Sequence, residues 1–288
     1  MAWSFEAIGT HWEIDLPNTL DTTIRTALEI KIRERIADFD HVYSRFRNDS
    51  LVSHIAQNKG LHTFPSDADK LFTFYKKLYE ATNGAVTPLI GNTLIDAGYD
   101  ATYSLKPKAV LSRPKDWSEV LSWKNPILTV HEPVMLDIGA AGKGYLVDLV
   151  CEIIEGFNIH EYCVDAGGDM KQHGQKPISV GLENPNNTKE IIGVAAIQNQ
   201  SLCGSAGNRR TWDRFNHTIN PHTLASPSAI IATWVIAKDA MTADGLATAL
   251  FFTSPEKLLA IAPFSYCYLK ENGEAVRSPN FPAKLFTA

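Results

Sequence analysis

The chain has 288 residues, 44% apolar and 20% charged, with 27 basic against 32 acidic side chains and a formal net charge of −5. No dense basic run stands out against that balance, which argues against nucleic acid or an anionic membrane surface as the main partner; an anionic ligand must be held by local groups. The longest apolar stretch, residues 229–237, is far short of the ~20 residues that a membrane span needs, and the start lacks a basic segment followed by an apolar one, so a cytoplasmic protein with no membrane span is expected.

No repeat, linker or low-complexity tract divides the chain, and one domain over residues 1–288 is expected. Residues 4–16 alternate imperfectly and predict a strand. A helical pattern runs over residues 21–45 and breaks at Arg47-Asn48-Asp49-Ser50. Residues 67–81 predict a second helix, stopped by Asn83-Gly84. A third helical segment is expected within residues 106–123, started or interrupted by Pro114. Residues 136–148 read as a buried strand, a glycine-rich turn and an amphipathic helix whose stripe is Leu146, Leu149, Val150, Ile153 and Ile154. β-Branched runs at 178–182, 191–197 and 229–237 predict strands, and residues 242–252 predict a last helix. The order points to an α+β fold, early helices packed on a mixed or antiparallel sheet. Cys151, Cys163, Cys203 and Cys267 show no metal-ligand spacing and read as free thiols.

Four segments carry candidate chemistry. In the first, Gly139, Gly142 and Gly144 let backbone approach a ligand where Asp137 and Lys143 stand at the turn. Lys143 is followed by Gly144, not Ser or Thr, so this is no Walker loop. In the second, Asp244 and Thr248 are four apart and share one helix face, a carboxylate and hydroxyl suited to a hard cation. The plainer reading makes Asp244 a helix cap and lets Thr248 bond back to its own turn. In the third, His217 titrates near neutrality when unperturbed and is a candidate base or phosphate partner, with residues 204–207, Arg209 and Arg210 upstream as a phosphate-friendly loop or an ordinary turn. In the fourth, Asp165 and Asp169 flank Gly167-Gly168, where tight packing explains them better than metal ligation.

Taken in order, Ala7-Ile8-Gly9-Thr10, residues 44–50, 84–88, 136–148, 164–169, 217–223 and 242–250 resemble the ApbE family, FAD:protein FMN transferases, along nearly the whole length. The resemblance implies a T-fold-related α+β domain that binds FAD and Mg²⁺. It implies transfer of FMN from FAD to a Ser or Thr hydroxyl of an acceptor protein, forming a phosphoester and releasing AMP. Carried over by position, it places Ile8, Phe46, Ala85, Val86, Thr87, Asp137, Lys143, His217 and Thr218 at the FAD site. Ala140 (through its carbonyl), Asp244 and Thr248 fall at the metal, an all-oxygen set that suits Mg²⁺, and His217 becomes the candidate catalytic residue.

Departures from the family pattern fall at the flavin-facing rim. Ile8 stands where Met is common, Phe46 for Tyr, Thr87 and Asn220 for Asp, and Leu224 for Gly. Loss of the acid at Asn220 removes a charge able to orient His217. No copy of the family's acceptor pattern, Asp-Gly-x-Ser/Thr-Gly-Ala-Ser/Thr, occurs in the chain, so the acceptor is expected to be a separate protein. The competing readings are an FAD pyrophosphatase, which shares every ligand with the transferase, and a non-catalytic FAD carrier, which the rim substitutions allow.

Overall fold

A computed structural model describes residues 2–286. Its spine is one sheet of eight strands: β1 (Ala2–Ala7), β2 (Thr10–Asp15), β3 (Tyr162–Ala166), β4 (Asp169–His173), β5 (Gln200–Ala206), β6 (Ile230–Ala237), β7 (Ser265–Lys270) and β8 (Ala275–Arg277). The strands lie side by side in chain order and every pairing is antiparallel. The expected single strand over residues 4–16 is therefore a hairpin. Ala7 pairs with Thr10, leaving Ile8-Gly9 as a two-residue turn with φ of +46° and +74°. Two positive φ angles match the right-handed twist of the flanking strands. An isoleucine there leaves an apolar residue where the pattern suggested continued strand.

Four principal helices enter as insertions between strands. α1 (Thr22–Tyr43) and α2 (Ala68–Ala81) lie between β2 and β3 with α3 (Gly142–Gly156), and α4 (Ala240–Ala249) lies between β6 and β7. Asp21 starts α1 by accepting from Thr23 N (2.8 Å), satisfying an amide that has no partner within the helix. α2 ends where Asn83 (φ +52°) and Gly84 (φ +82°) turn the chain. Two expectations fail here. Residues 106–116 are irregular, with only a short helix (Trp117–Val120) and strand (Leu121–Lys124) after them, since Pro107 and Pro114 interrupt the ladder that the apolar spacing suggested. Residues 136–138 are extended but form no strand, Asp137 N donating instead to Pro88 O (2.8 Å). A short helix after the break, Leu51–Ile55, was not anticipated.

Strand pleat divides the core. On β6, Val235 and Ala237 face the helices, while Ala232, Trp234 and Ile236 face a three-stranded sheet formed by Ile178–Asn184, Asn187–Ile197 and Ala283–Leu285. β6 is buried on both faces because helices cover one and this sheet the other, which is why its sequence is apolar throughout apart from Thr233. Of the four free cysteines, Cys151, Cys203 and Cys267 are buried and Cys163 is half-buried. Among the described residues no helix is long and apolar enough to cross a membrane.

Candidate active site

α3 and α4 cross so closely that each supplies a carboxylate to the start of the other. Asp148 of α3 accepts from Ala240 N (3.1 Å) and Met241 N (2.8 Å) at the start of α4, and Asp244 of α4 accepts from Gly144 N (2.9 Å) at the start of α3. Each carboxylate satisfies amides that have no partner inside their own helix and sits at the positive end of its dipole. Only glycine fits at 144, because a Cβ would collide with the Ala240 carbonyl and lie 2.7 Å from Asp244 Cβ. The plainer sequence reading of Asp244 and Thr248 does not hold. Asp239 caps α4, accepting from Thr242 N (2.8 Å), and Thr248 Oγ1 donates not to its own turn but to the Ala140 carbonyl (3.3 Å) on the turn before α3.

That crossing is the floor of a cavity of about 680 Å³. Its lining includes Ile8 from the hairpin turn, Phe46 after α1, Ala85, Val86 and Thr87 after α2, Asp137, Ala140 and Lys143 from the glycine turn, His217 and Thr218 from the loop after β5, and Asp244 and Thr248 from α4. All twelve candidate positions thus share one space, although their segments span most of the chain. Gly204, Ser205 and Ala206 at the end of β5, and Arg209 and Arg210 after it, line it too, so the segment read as a phosphate-friendly loop or an ordinary turn is partly strand and faces the cavity.

A charge cluster lies at the floor. Lys143 Nζ pairs with Asp169 Oδ2, whose residue is 0% exposed, and Asp169 lies against Asp244, 5% exposed. Burial raises the Asp244 carboxyl well above its ordinary range, and the neighbouring Asp169 charge adds to this. Burial opposes the charge on Lys143, yet Asp169 and Asp244 hold its ammonium above the usual lysine value. Asp169 Oδ1 has no hydrogen-bond partner. Asp165, by contrast, accepts from Gly168 N (2.8 Å) and serves the turn.

Among the described residues no group of three His, Cys, Asp or Glu side chains is placed to hold a metal. A cation here needs oxygen donors of other kinds, and they are present. The Ala140 carbonyl and Thr248 hydroxyl are 3.3 Å apart, and the Asp244 carboxyl lies on the same cavity wall. Carbonyl, hydroxyl and carboxylate fit a hard divalent ion that keeps water or phosphate in its remaining positions.

His217 is held neutral. Burial pushes its pKa down to about 4, the Arg210 guanidinium adds to this, and Nδ1 is buried with no partner. Asn220 does not orient it; its side chain accepts from His222 N (2.8 Å) and Thr223 N (3.4 Å), building its own turn. Leu224 keeps the left-handed geometry (φ +57°) that the usual glycine would adopt freely. Thr87 Oγ1 accepts from Leu89 N (3.2 Å), starting the 3-10 turn at Pro88–Ile90.

Sequence reasoning missed several cavity residues, among them Arg45, Tyr99 and Tyr103. Arg45 lies within a quoted segment, but nothing in the chain signals that its Nε reaches Asp137 Oδ2 (2.5 Å) and its Nη1 the Tyr99 carbonyl (2.6 Å). Tyr99 and Tyr103 belong to a loop with no periodicity to read.

Comparisons with known proteins were made on this frame. A profile of the ApbE family matches residues 8–266. FAD:protein FMN transferase from Haemophilus influenzae is 26% identical over 290 aligned positions, which cover 90% of this chain and 82% of that protein. Among solved structures, the flavin transferase ApbE from Vibrio cholerae superposes with a TM-score of 0.80 at 21% identity, covering 98% of this chain and 97% of that one. The ApbE protein from Thermotoga maritima superposes with a TM-score of 0.82 at 20% identity, covering 99% of each chain.

Proposed function

The chain belongs to the ApbE family, and from that premise we propose that it transfers FMN from FAD to a Ser or Thr hydroxyl of a separate acceptor protein, releasing AMP. The observation that carries this reading is the convergence of an all-oxygen donor set, an ammonium paired to a buried carboxylate and a neutral histidine in one cavity with an apolar, aromatic rim. The cavity volume, about 680 Å³, lies within the span usual for small-molecule sites.

Ala140, Asp244 and Thr248 are the residues that would hold Mg²⁺. When bound, the ion neutralises pyrophosphate charge and stabilises the charge developing on AMP. Lys143, pinned by Asp169, adds positive potential on the same wall. In the reaction the acceptor oxygen forms a bond to the FMN phosphorus, the P–O bond to AMP breaks, and the acceptor proton must leave. His217 is neutral at pH 7 and lines the cavity, so it is the candidate to take that proton. Pyrophosphate charge beside the imidazole favours its protonated form and offsets part of the burial that weakens it as a base.

The test mixes the protein with FAD, Mg²⁺ and a peptide carrying the acceptor pattern, and follows peptide mass and AMP. An FMN-sized adduct with equimolar AMP is expected, and Asp244→Ala should reduce turnover at least 100-fold, since it leaves the cation one carboxylate short. Free FMN without adduct selects hydrolysis instead, and unchanged FAD selects a carrier.

A further inference from the structure

Residues 98–106 form a loop that brings Tyr99 and Tyr103 to the cavity. Asp100 Oδ1 accepts from Thr102 N (2.8 Å) and Ser104 N (3.1 Å), and Leu105 N donates to Gly98 O (2.8 Å), closing the loop on itself. Tyr103 stands inside this closure at φ +52°, a left-handed conformation that is strained for a bulky side chain. Its ring stacks on Phe46 with centroids 5.3 Å apart and planes 7° apart. Tyr99 meets both rings edge-on, at 5.5 Å from Tyr103 and 5.4 Å from Phe46.

Tyr99 is anchored from behind. Its hydroxyl accepts from Arg210 Nη1 (2.6 Å), its carbonyl from Arg45 Nη1 (2.6 Å), and its ring stacks on Trp212. The Arg45 guanidinium also lies over the Phe46 ring, 4.2 Å from its centroid. Tyr103 itself is 48% exposed and joins none of the three apolar cores. A large aromatic side chain, held in a strained backbone and contributing to no core, is stacked parallel to a cavity-lining ring and faces the same cavity.

We propose that Tyr103 is a substrate-binding residue that, with Phe46, forms the stacking platform for one planar heteroaromatic ring of the dinucleotide. Tyr103 takes this role only if the FAD reading above holds, and it adds a contact that the family positions do not supply. The ring supplies the interaction and the hydroxyl is dispensable, because a π-face stacks on either flavin or adenine.

The wild type, Tyr103→Phe and Tyr103→Leu are titrated with FAD and FMN by flavin fluorescence and with ADP by calorimetry. Tyr103→Phe should bind FAD within about twofold of the wild type and Tyr103→Leu roughly tenfold or more weakly, the range found for loss of one base–aromatic stack. All three proteins should melt together, since Tyr103 supports no core. If the loss extends to FMN, the isoalloxazine is on the platform; if it extends to ADP, adenine is; either result supports the assignment. Unchanged FAD affinity in Tyr103→Leu overturns it, and so does an equal loss in Tyr103→Phe. A wild type that binds no FAD defeats the functional reading instead, and shows this before any variant is compared.

Discussion

At the scale of single residues, Ile8 and His217 both occupy positions that folding alone does not favour. Ile8 sits in a tight turn at φ +46°, where a Cβ crowds the following carbonyl. Relief of that crowding is worth about 1–2 kcal/mol, while a new glycine costs about 0.5–1 kcal/mol in unfolded-chain entropy and the half-buried side chain loses some burial. These terms nearly cancel. Ile8→Gly should therefore leave the unfolding free energy within about 1 kcal/mol of the wild type in urea melts while weakening FAD binding. A loss well beyond that would mean that the side chain is kept for packing. His217 has a folded pKa of about 4 against an ordinary 6.5, so the unfolded chain binds more protons between those values. Stability from this group is present above pH 6.5, falls as pH drops through the window and is flat below pH 4. His217→Gln, neutral throughout, should flatten the stability slope across that window in thermal melts, and an unchanged slope would remove the assignment.

Elements meet most tightly where α3 crosses α4. The exchange of carboxylates between the two helix starts ties the glycine turn to the helix that carries Asp244 and Thr248, so the cavity floor depends on one crossing distance. Gly144→Ala places a Cβ against the Ala240 carbonyl and should destabilise the fold by about 1–3 kcal/mol, the range for overpacking a close contact. The same separation should weaken Mg²⁺ binding by moving Asp244 away from Ala140. Urea melts give the first effect and Mn²⁺ titration by paramagnetic resonance the second. A variant of normal stability and normal metal affinity would show that the crossing has slack.

Across the whole molecule, the meander sheet supplies a fixed frame, and the turns and insertions between its strands supply most of the cavity residues, with Thr10 and Gly204–Ala206 coming from the strands themselves. Metal-free, that frame keeps Asp169 and Asp244 together at the floor with only Lys143 to balance them. A divalent ion held by the folded chain alone should stabilise it by about 2.7 kcal/mol at 100 times its dissociation constant. The expected outcome is a melting temperature several degrees higher in Mg²⁺ than in EDTA, and no such increment in Asp244→Asn. Equal melting of the wild type in both buffers would argue against a cation at this floor.

Helix and strand periodicity and the turn glycines were enough to read the α+β class and α1, α2, α3 and α4 within a few residues, while the twelve positions carried over from the family resemblance all line the cavity. Those signals are local, and the motifs lie in segments whose residue types the ligand chemistry restricts. Three features were not legible: the partition of β6 between two cores, the Lys143–Asp169 pair across 26 residues of separation, and the stacking of Tyr103 on Phe46. Each joins residues distant in the chain, and no local pattern records which insertion will fold against which. Asp244 makes the division plain. Its spacing from Thr248 follows from helix geometry, but only the crossing of α3 and α4 decides that its carboxylate meets Gly144 N and the cavity rather than its own helix start.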